Sequence, residues 1–316
     1  MKFIILGAGA IGCYVGGRLA AAGQHVSLVG RLRIVESLST QGMRVSDQGG
    51  FDATVASADL HLATSLADAM RPLGRALNDP LVLLVCAKAT GTIAVAAEIA
   101  RACPAGTVVV SLQNGVENAA RLQAGAPTCE VLAGMVPFTV NWRDAHHVYQ
   151  ANTGSLQIQR SAQSEAFAPA LRAAGVGAEL HDDMQGILWG KLLLNLLNPI
   201  NALANLPIRT QLLQRDHRRV FAAFARRGIG RVARRWRPAR QGGRRRAAGN
   251  SQGVAPARLA VHPRGQGHAQ DRTNGAHLDV RRPAKRPTDR DRRSVRRRAA
   301  AGRETWRAGA AEPETT

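Results

Sequence analysis

Short apolar runs alternate with stretches of helical periodicity through the first two-thirds of the chain. Lys2–Leu6 is such a run, bounded by glycine, the pattern of a strand buried on both faces. Ile11, Val15, Leu19 and Ala22 then recur at helical spacing, and Gly23 predicts the stop. His25–Val29 reads as a second strand. Leu81–Val85 is a third, Ile93–Ala102 a helix, and Val108–Leu112 another strand that feeds Asn114–Gly115. Strands alternating with helices predict an α/β fold with a Rossmann-type, doubly wound parallel sheet.

The pattern changes near residue 130. Val131–Val140, His147–Gln150 and Ser155–Gln159 read as short strands, followed by a helix over 164–174 and a strand over 177–181. Together they are expected to close the first sheet. Asp183 to Ala204 reads as one long apolar helix, and Val220–Phe224 as the start of another. Beyond Phe224 the periodicity stops. The expected organisation is a Rossmann-type domain over 1–181, the start of an incomplete all-helical domain over 182–224, and a basic, disordered Arg-rich tail over 225–316.

Charge sharpens that last boundary. The chain of 316 residues has a net charge of +21, yet residues 1–224 hold 18 Lys+Arg against 15 Asp+Glu, whereas 225–316 hold 25 against 7. Only 8 of the last 92 residues are Ile, Leu, Val or Phe, too little apolar surface to offset the entropy of ordering. This asymmetry excludes a uniformly basic nucleic-acid protein. The 24 arginines of the tail are expected to bind nucleic acid nonspecifically, with only Trp236 and Trp306 available for stacking. No apolar run reaches the roughly 18–20 residues of a membrane span. The N-terminal run Phe3–Leu6 leads into a glycine loop and not into a signal-peptide cleavage site. No membrane association and a cytoplasmic location are therefore expected. Cys13, Cys86, Cys103 and Cys129 lack CxxC spacing and read as free thiols. Nine histidines without an HExxH pattern give a metal site no support.

The candidate chemistry begins at Gly7, Ala8, Gly9, Ala10, Ile11 and Gly12, a GxGxxG directly after a strand and opening a helix. The first glycine allows a tight turn, the second a close approach of pyrophosphate to the backbone, and the third close helix–strand packing. The helix N-terminus adds unpaired N–H groups and a partial positive charge. The alternative is a packing loop with no ligand. At the end of the second strand an NAD site usually carries an acid, whereas this chain has Gly30 and Arg31, with the nearest acid at Glu36. A guanidinium there can fork onto a 2′-phosphate, which favours NADP(H) over NAD(H). A solvated loop arginine is the other reading. Lys88 follows Leu81–Val85 and is expected at the carboxyl edge of the sheet, either beside the cofactor or in a solvent-facing loop. Asn114 ends a strand likewise, and could belong to a simple turn.

Lys191, Asn195 and Asn198 are spaced i, i+4 and i+7, so on one continuous helix they share a face, with leucines between them. A lysine on so apolar a surface is costly without a partner, and desolvation there would lower its pKa. Such a lysine can give a proton to a developing alkoxide while asparagines hold the substrate. The alternative is the exposed side of an amphipathic helix.

Taken together, Gly7–Gly12, Arg31, Lys88, the Gln113–Asn114–Gly115 turn and Lys191–xxx–Asn195–xx–Asn198–Pro199 resemble the ketopantoate reductase family over about residues 1–224. The resemblance implies a Rossmann domain joined to a helical domain, with NADPH-dependent reduction of 2-dehydropantoate to (R)-pantoate, on the route to pantothenate and coenzyme A. It implies Lys191 as general acid, Asn195 and Asn198 as substrate contacts, and Asn114 as a contact of both cofactor and substrate. Arg31 and Lys88 would bracket the 2′-phosphate. A reductase of another 2-oxo acid, and a dinucleotide-binding protein with a basic nucleic-acid arm, are the competing readings; a homodimer is left open. The chain departs from the family in its C-terminal third, which lacks the serine-bearing segment and the Gly-Arg-Pro-Thr-Glu-Ile-Asp-like segment of relatives. Residues Lys285 to Arg292 can be encoded by AAG CGG CCG ACC GAC CGA GAT CGA, and reading one base later yields Ser-Gly-Arg-Pro-Thr-Glu-Ile-Asp. A shift of reading frame near codon 225 would account for an Arg-, Gly-, Pro- and Ala-rich tail of this kind and is the expectation for it. Weak or absent turnover is expected for the chain as written.

Overall fold

The run Lys2–Leu6 forms β1, buried from Phe3 to Leu6, and every later feature of the fold is arranged around it. The computed structural model describes residues 1–71 and 80–235. Residues 236–316, and with them most of the expected tail, Trp236, Trp306 and Lys285 to Arg292, lie outside the described residues. After β1 come α1 (Ala10–Ala21), β2 (His25–Val29), α2 (Leu32–Gln41), β3 (Met43–Asp47), β4 (Asp52–Val55), β5 (His61–Ala63) and α3 (Leu66–Met70). They are followed by β6 (Leu81–Val85), α4 (Thr92–Ala102), β7 (Val108–Ser111), α5 (Asn118–Gly125), β8 (Glu130–Met135), β9 (Val140–Trp142) and β10 (His147–Gln150). The last elements are β11 (Leu156–Gln159), α6 (Ala162–Ala173), β12 (Ala178–His181), α7 (Met184–Asn195), α8 (Leu197–Ala204), α9 (Ile208–Leu213) and α10 (Arg215–Arg235).

Eight strands make the main sheet in the order β12-β11-β8-β7-β6-β1-β2-β5. From β5 to β8 all neighbours are parallel, whereas β11 runs antiparallel to β8. Side chains alternate between the two faces. Phe3 and Ile5 join Val15 and Leu19 of α1 and Phe167 and Leu171 of α6 on one face. Ile4 and Leu6 join Leu66 of α3, Ile99 of α4 and Leu122 of α5 on the other. Both faces are covered, which is why the central strands read as continuous apolar runs. Each fully buried Ile, Leu or Phe contributes about 1.5–3 kcal/mol relative to exposure.

Two expectations about the sheet are corrected. The segment read as one strand over Val131–Val140 is two, β8 and β9, separated by Val136–Thr139. Moreover β9 and β10 do not close the main sheet. They pair with the β3–β4 hairpin in a separate four-stranded sheet ordered β4-β3-β10-β9. That second sheet covers α1. Tyr14 donates from its hydroxyl to Gln150 Oε1 at 2.9 Å and meets Phe138 edge-on, with ring centroids 5.6 Å apart. Arg18 is buried there, donating from Nε to the Ala174 carbonyl at 2.7 Å and from Nη1 to Asp47 at 2.8 Å, with its guanidinium 3.6 Å from the Phe51 ring centroid.

The helical part also differs from expectation. The single helix read over Asp183–Ala204 breaks at Leu196 into α7 and α8. Pro199 explains the break: it has no N–H for the Asn195 carbonyl, and its ring clashes with that carbonyl in a continuous helix. The stretch Met184–Ala204 is nevertheless long and apolar enough to cross a membrane by length and composition, so the reading that no such run exists is corrected. Its leucines raise the average although Lys191, Asn195, Asn198 and Asn201 interrupt every purely apolar run. Helical order does not end at Phe224 either, because α10 continues to Arg235. Ala and Arg are both strong helix formers, and the missing side chain of Gly228 lets α10 approach α7: a Cβ there would lie 2.9 Å from the Leu193 side chain.

Candidate functional site

The glycine loop is held by its own backbone. Gly7 N–H and Ala8 N–H both donate to the Val29 carbonyl, at 3.0 and 2.8 Å, tying the exit of β1 to the end of β2. Gly7 has φ +117°, a region that L side chains rarely adopt, and a Cβ there would sit 2.5 Å from the Ala87 nitrogen. A Cβ at Gly12 would strike the Gly7 carbonyl oxygen. Both glycines are therefore demanded by the protein's own packing. Gly9 is different, because nothing lies within 4 Å of where its Cβ would be. It is exposed and caps α1 without any side-chain bond, and the first helical bond is Cys13 N–H to the Gly9 carbonyl at 2.8 Å. The first-turn N–H groups of Ala10, Ile11 and Gly12 therefore have no helical acceptor. The loop combines an uncapped helix N-terminus with an open approach to the backbone, which is what a phosphate needs.

Strand order places the remaining candidates around this opening. β2 and β6 flank β1, and β7 follows β6, all parallel, so the segments after them share one edge of the sheet. Arg31 caps α2 just beyond β2, and Lys88 lies three residues beyond β6; both are exposed, one on each side of the glycine loop. Gly30 occupies the place where an acid would bind a ribose hydroxyl. A Cβ on it would already be 2.7 Å from that of Ala8. Asn114 is exposed at the end of β7. An open cradle flanked by two cations, without a carboxylate at the end of β2, fits the phosphates of a dinucleotide. The strand order changes direction at β1, which is where open α/β sheets bind ligands.

Among the described residues all four cysteines are free. Burial pushes the thiols of Cys13 and Cys86, at the two sides of the loop, up to about 12, so both stay protonated and inert.

The lysine–asparagine stripe is partly assembled. The Asp183 side chain caps α7 by accepting from Gly186 N–H at 3.0 Å. Met184 and Leu188 then pack with Ala133 of β8 and with Val116, two residues after Asn114. Lys191 follows Leu188 by one turn and is half-buried, and Asn195 lies one turn further on the same face. Asn198 is on α8 and exposed. The spacing that grouped it with the other two assumed an unbroken helix, and the break at Leu196 removes that argument.

Behind the sheet edge lies a group of buried polar side chains, Ser111, Thr92, Gln113 and Asn118, which sequence spacing does not reveal. They are up to 26 positions apart and belong to no contiguous motif.

Comparison with known proteins agrees with the fold. A family model described as ketopantoate reductase PanE/ApbA matches residues 3–163. A 2-dehydropantoate 2-reductase of Archaeoglobus fulgidus is 34% identical over 206 residues, covering 63% of this chain and 63% of that protein. The chain thus spans under two-thirds of the length of this curated relative. A crystal structure of a PanE/ApbA family ketopantoate reductase from Ralstonia eutropha JMP134 superposes with a TM-score of 0.65 at 32% identity, covering 74% of each chain. A ternary structure of D-mandelate dehydrogenase with NADH and anilino(oxo)acetate shares the fold, with a TM-score of 0.61 at 19% identity and 74% of each chain covered.

Proposed function

The chain belongs to the ketopantoate reductase family, and on that footing we propose that its described part binds NADP(H) and carries the proton-donating side of a 2-dehydropantoate reduction. The observation that carries this reading is the open, uncapped glycine loop at Gly9, flanked by Arg31 and Lys88. The loop N–H groups hold the pyrophosphate, and Arg31 and Lys88 take the 2′-phosphate, for which a guanidinium and an ammonium are better suited than for a ribose hydroxyl. When bound, the nicotinamide supplies the hydride. The Lys191 ammonium donates a proton to the substrate's carbonyl oxygen as that oxygen becomes a hydroxyl, and Asn114 and Asn195 orient the 2-oxo acid by hydrogen bonds. The branched hydroxy acid (R)-pantoate is the product.

Turnover by this chain is weak. Of the large apolar side chains that are exposed among the described residues, most lie between Leu194 and Ile229, including Leu203 at 89% and Leu213 at 72%. Among the described residues, the helical part that carries Lys191 therefore buries little apolar surface of its own. The test is equilibrium titration of the purified chain with NADPH and NADH, alongside NADPH consumption in the presence of 2-dehydropantoate. Tight NADPH binding that Arg31→Glu weakens about tenfold or more, roughly 1.4 kcal/mol, with NADH binding little changed, supports the reading. Equal affinity for both cofactors, untouched by Arg31→Glu, overturns it, and ordinary enzyme rates overturn the claim of weak turnover.

A further inference from the structure

Two segments that carry proposed ligand contacts, the loop around Lys88 and the turn at Asn114, are connected by buried side chains. Gln113 is 5% exposed and uses both hydrogens of its amide: Nε2 donates to the Ala87 carbonyl at 3.0 Å and to Thr92 Oγ1 at 3.1 Å. Its Oε1 accepts from Ser111 Oγ at 3.3 Å. Thr92, 1% exposed, has Ala89 O at 2.8 Å and Asn118 Oδ1 at 3.1 Å as acceptors for its single hydroxyl proton. Asn118 Nδ2 in turn donates to the Asn114 carbonyl at 2.8 Å. The carbonyls immediately before and after Lys88, those of Ala87 and Ala89, are thus gripped by two side chains that are bonded to each other. The same group reaches the backbone of Asn114.

We propose that Thr92 and Gln113 form a clamp that sets the position of Lys88 and registers it against Asn114, making them positioning residues for NADPH. This rests on the reading of Lys88 as a 2′-phosphate contact. The physical argument concerns freedom. Lys88 is exposed, and its own side chain is long, so the only part of it that the protein can hold in advance is the backbone from which it projects. A buried amide–hydroxyl pair holds that backbone on both flanks, and pre-organisation of this kind lowers the ordering cost of binding. Satisfying the clamp takes four buried polar side chains, an expensive way merely to fill space.

The 2′-phosphate is the only chemical difference between NADPH and NADH, so their affinity ratio reports on Lys88 while general damage to the fold lowers both affinities alike. Thr92→Val keeps the shape and removes the hydroxyl. It is expected to raise the NADPH Kd about tenfold and the NADH Kd less than about twofold, a tenfold change being 1.4 kcal/mol. Thr92→Ser restores the hydroxyl and is expected to return the ratio to that of the parent chain. Gln113→Met reads the same ratio independently, in case the valine variant does not fold. Lys88→Ala serves as the reference. If Lys88→Ala lowers the ratio and neither Thr92→Val nor Gln113→Met does, the clamp is wrong while the cofactor reading stands. If Lys88→Ala leaves the ratio unchanged, the cofactor reading of Lys88 falls and takes the clamp with it. Parallel losses for both cofactors, failure of serine to rescue, or unfolding of both clamp variants overturn the proposal in favour of a structural role.

Discussion

Gly9 and Gly12 belong to one motif, and the structure assigns them different reasons for being glycine. An added methyl at Gly12 collides with the Gly7 carbonyl oxygen, so the glycine loop or α1 must shift. Overpacking of this kind costs about 1–3 kcal/mol. An added methyl at Gly9 meets nothing within 4 Å, and its φ of −89° is open to any residue. Losing glycine as a helix cap costs a few tenths of a kcal/mol to about 1, while the reduced freedom of the unfolded chain returns about 0.4–1. Gly9→Ala is therefore expected to unfold in urea within about 0.5 kcal/mol of the parent chain. On the proposed reading its methyl would stand where a pyrophosphate approaches the backbone, and NADPH affinity should fall at least about tenfold, or 1.4 kcal/mol. Gly12→Ala should lose both stability and affinity. Paired urea unfolding and cofactor titration on the two variants decide the matter. If Gly9→Ala binds NADPH as the parent does, the opening at Gly9 is not the phosphate site. If it unfolds as readily as Gly12→Ala, the opening is not there at all.

Other predictions follow from buried and titrating groups. Arg18→Met leaves Asp47, whose side chain is 14% exposed, without its cation and the Ala174 carbonyl without its donor. Breaking a buried pair in this way costs about 3–5 kcal/mol, and adding Asp47→Asn should recover part of the loss in a double-mutant cycle read by urea unfolding. His61 and His147 both have pKa values below the ordinary histidine value, chiefly through burial, while their ring nitrogens bond Ser27 and Ser46. A depressed pKa means that the unfolded chain binds more protons in this range, so stability is full above about pH 6.5 and falls as pH drops through the lower folded values. Unfolding free energies measured between neutral and mildly acid pH should show that fall, and His61→Gln combined with His147→Gln should flatten it; a slope unchanged in the double variant would assign it elsewhere.

How much of this was legible in the sequence depends on how each segment is buried. β1, β2, β6 and β10 match their expected bounds, and β7 and α4 do so within one residue, because β1, β6 and β7 are covered on both faces or nearly so and their apolar runs are continuous. β4 and β5 are short and half-exposed, so Asp52–Val55 and His61–Ala63 carry no comparable signal. The second sheet is not legible for a different reason: β3 and β10 pair across a long separation in the chain, and a strand's own pattern does not say which sheet it joins. Among candidate site residues, Gly7, Gly12, Arg31, Lys88 and Asn114 fall at the sheet edge where strand ends were expected. The spacing that groups Asn198 with Lys191 extends one helical period through the break at Leu196, so the shared face no longer follows from it. Thr92, Gln113 and Asn118 were invisible as a group, since a buried hydrogen-bonded cluster assembled from β7, α4 and α5 has no period along the chain.

The two halves of the proposed site are built to different standards of support, and this bears on what the chain can do. The cofactor edge stands on a sheet whose core clusters run through both faces, from Phe3 to Ala178 on one and from Ile4 to Cys129 on the other. Lys191 stands on a helix anchored by Met184 and Leu188 at its start, with Leu194 61% exposed one turn beyond it. Binding needs only the first half. Proton transfer needs a donor held within hydrogen-bond reach of the carbonyl oxygen, and small displacements of such a group cost orders of magnitude in rate. Cofactor affinity and turnover should therefore separate in this chain: NADPH binding close to what the glycine loop permits, with catalysis limited by how loosely α7 carries its lysine. A chain that bound NADPH and reduced 2-dehydropantoate at full rate would show that the anchoring of α7 at Met184 and Leu188 is enough. A chain that did neither would place the fault in the sheet edge and not in the helices.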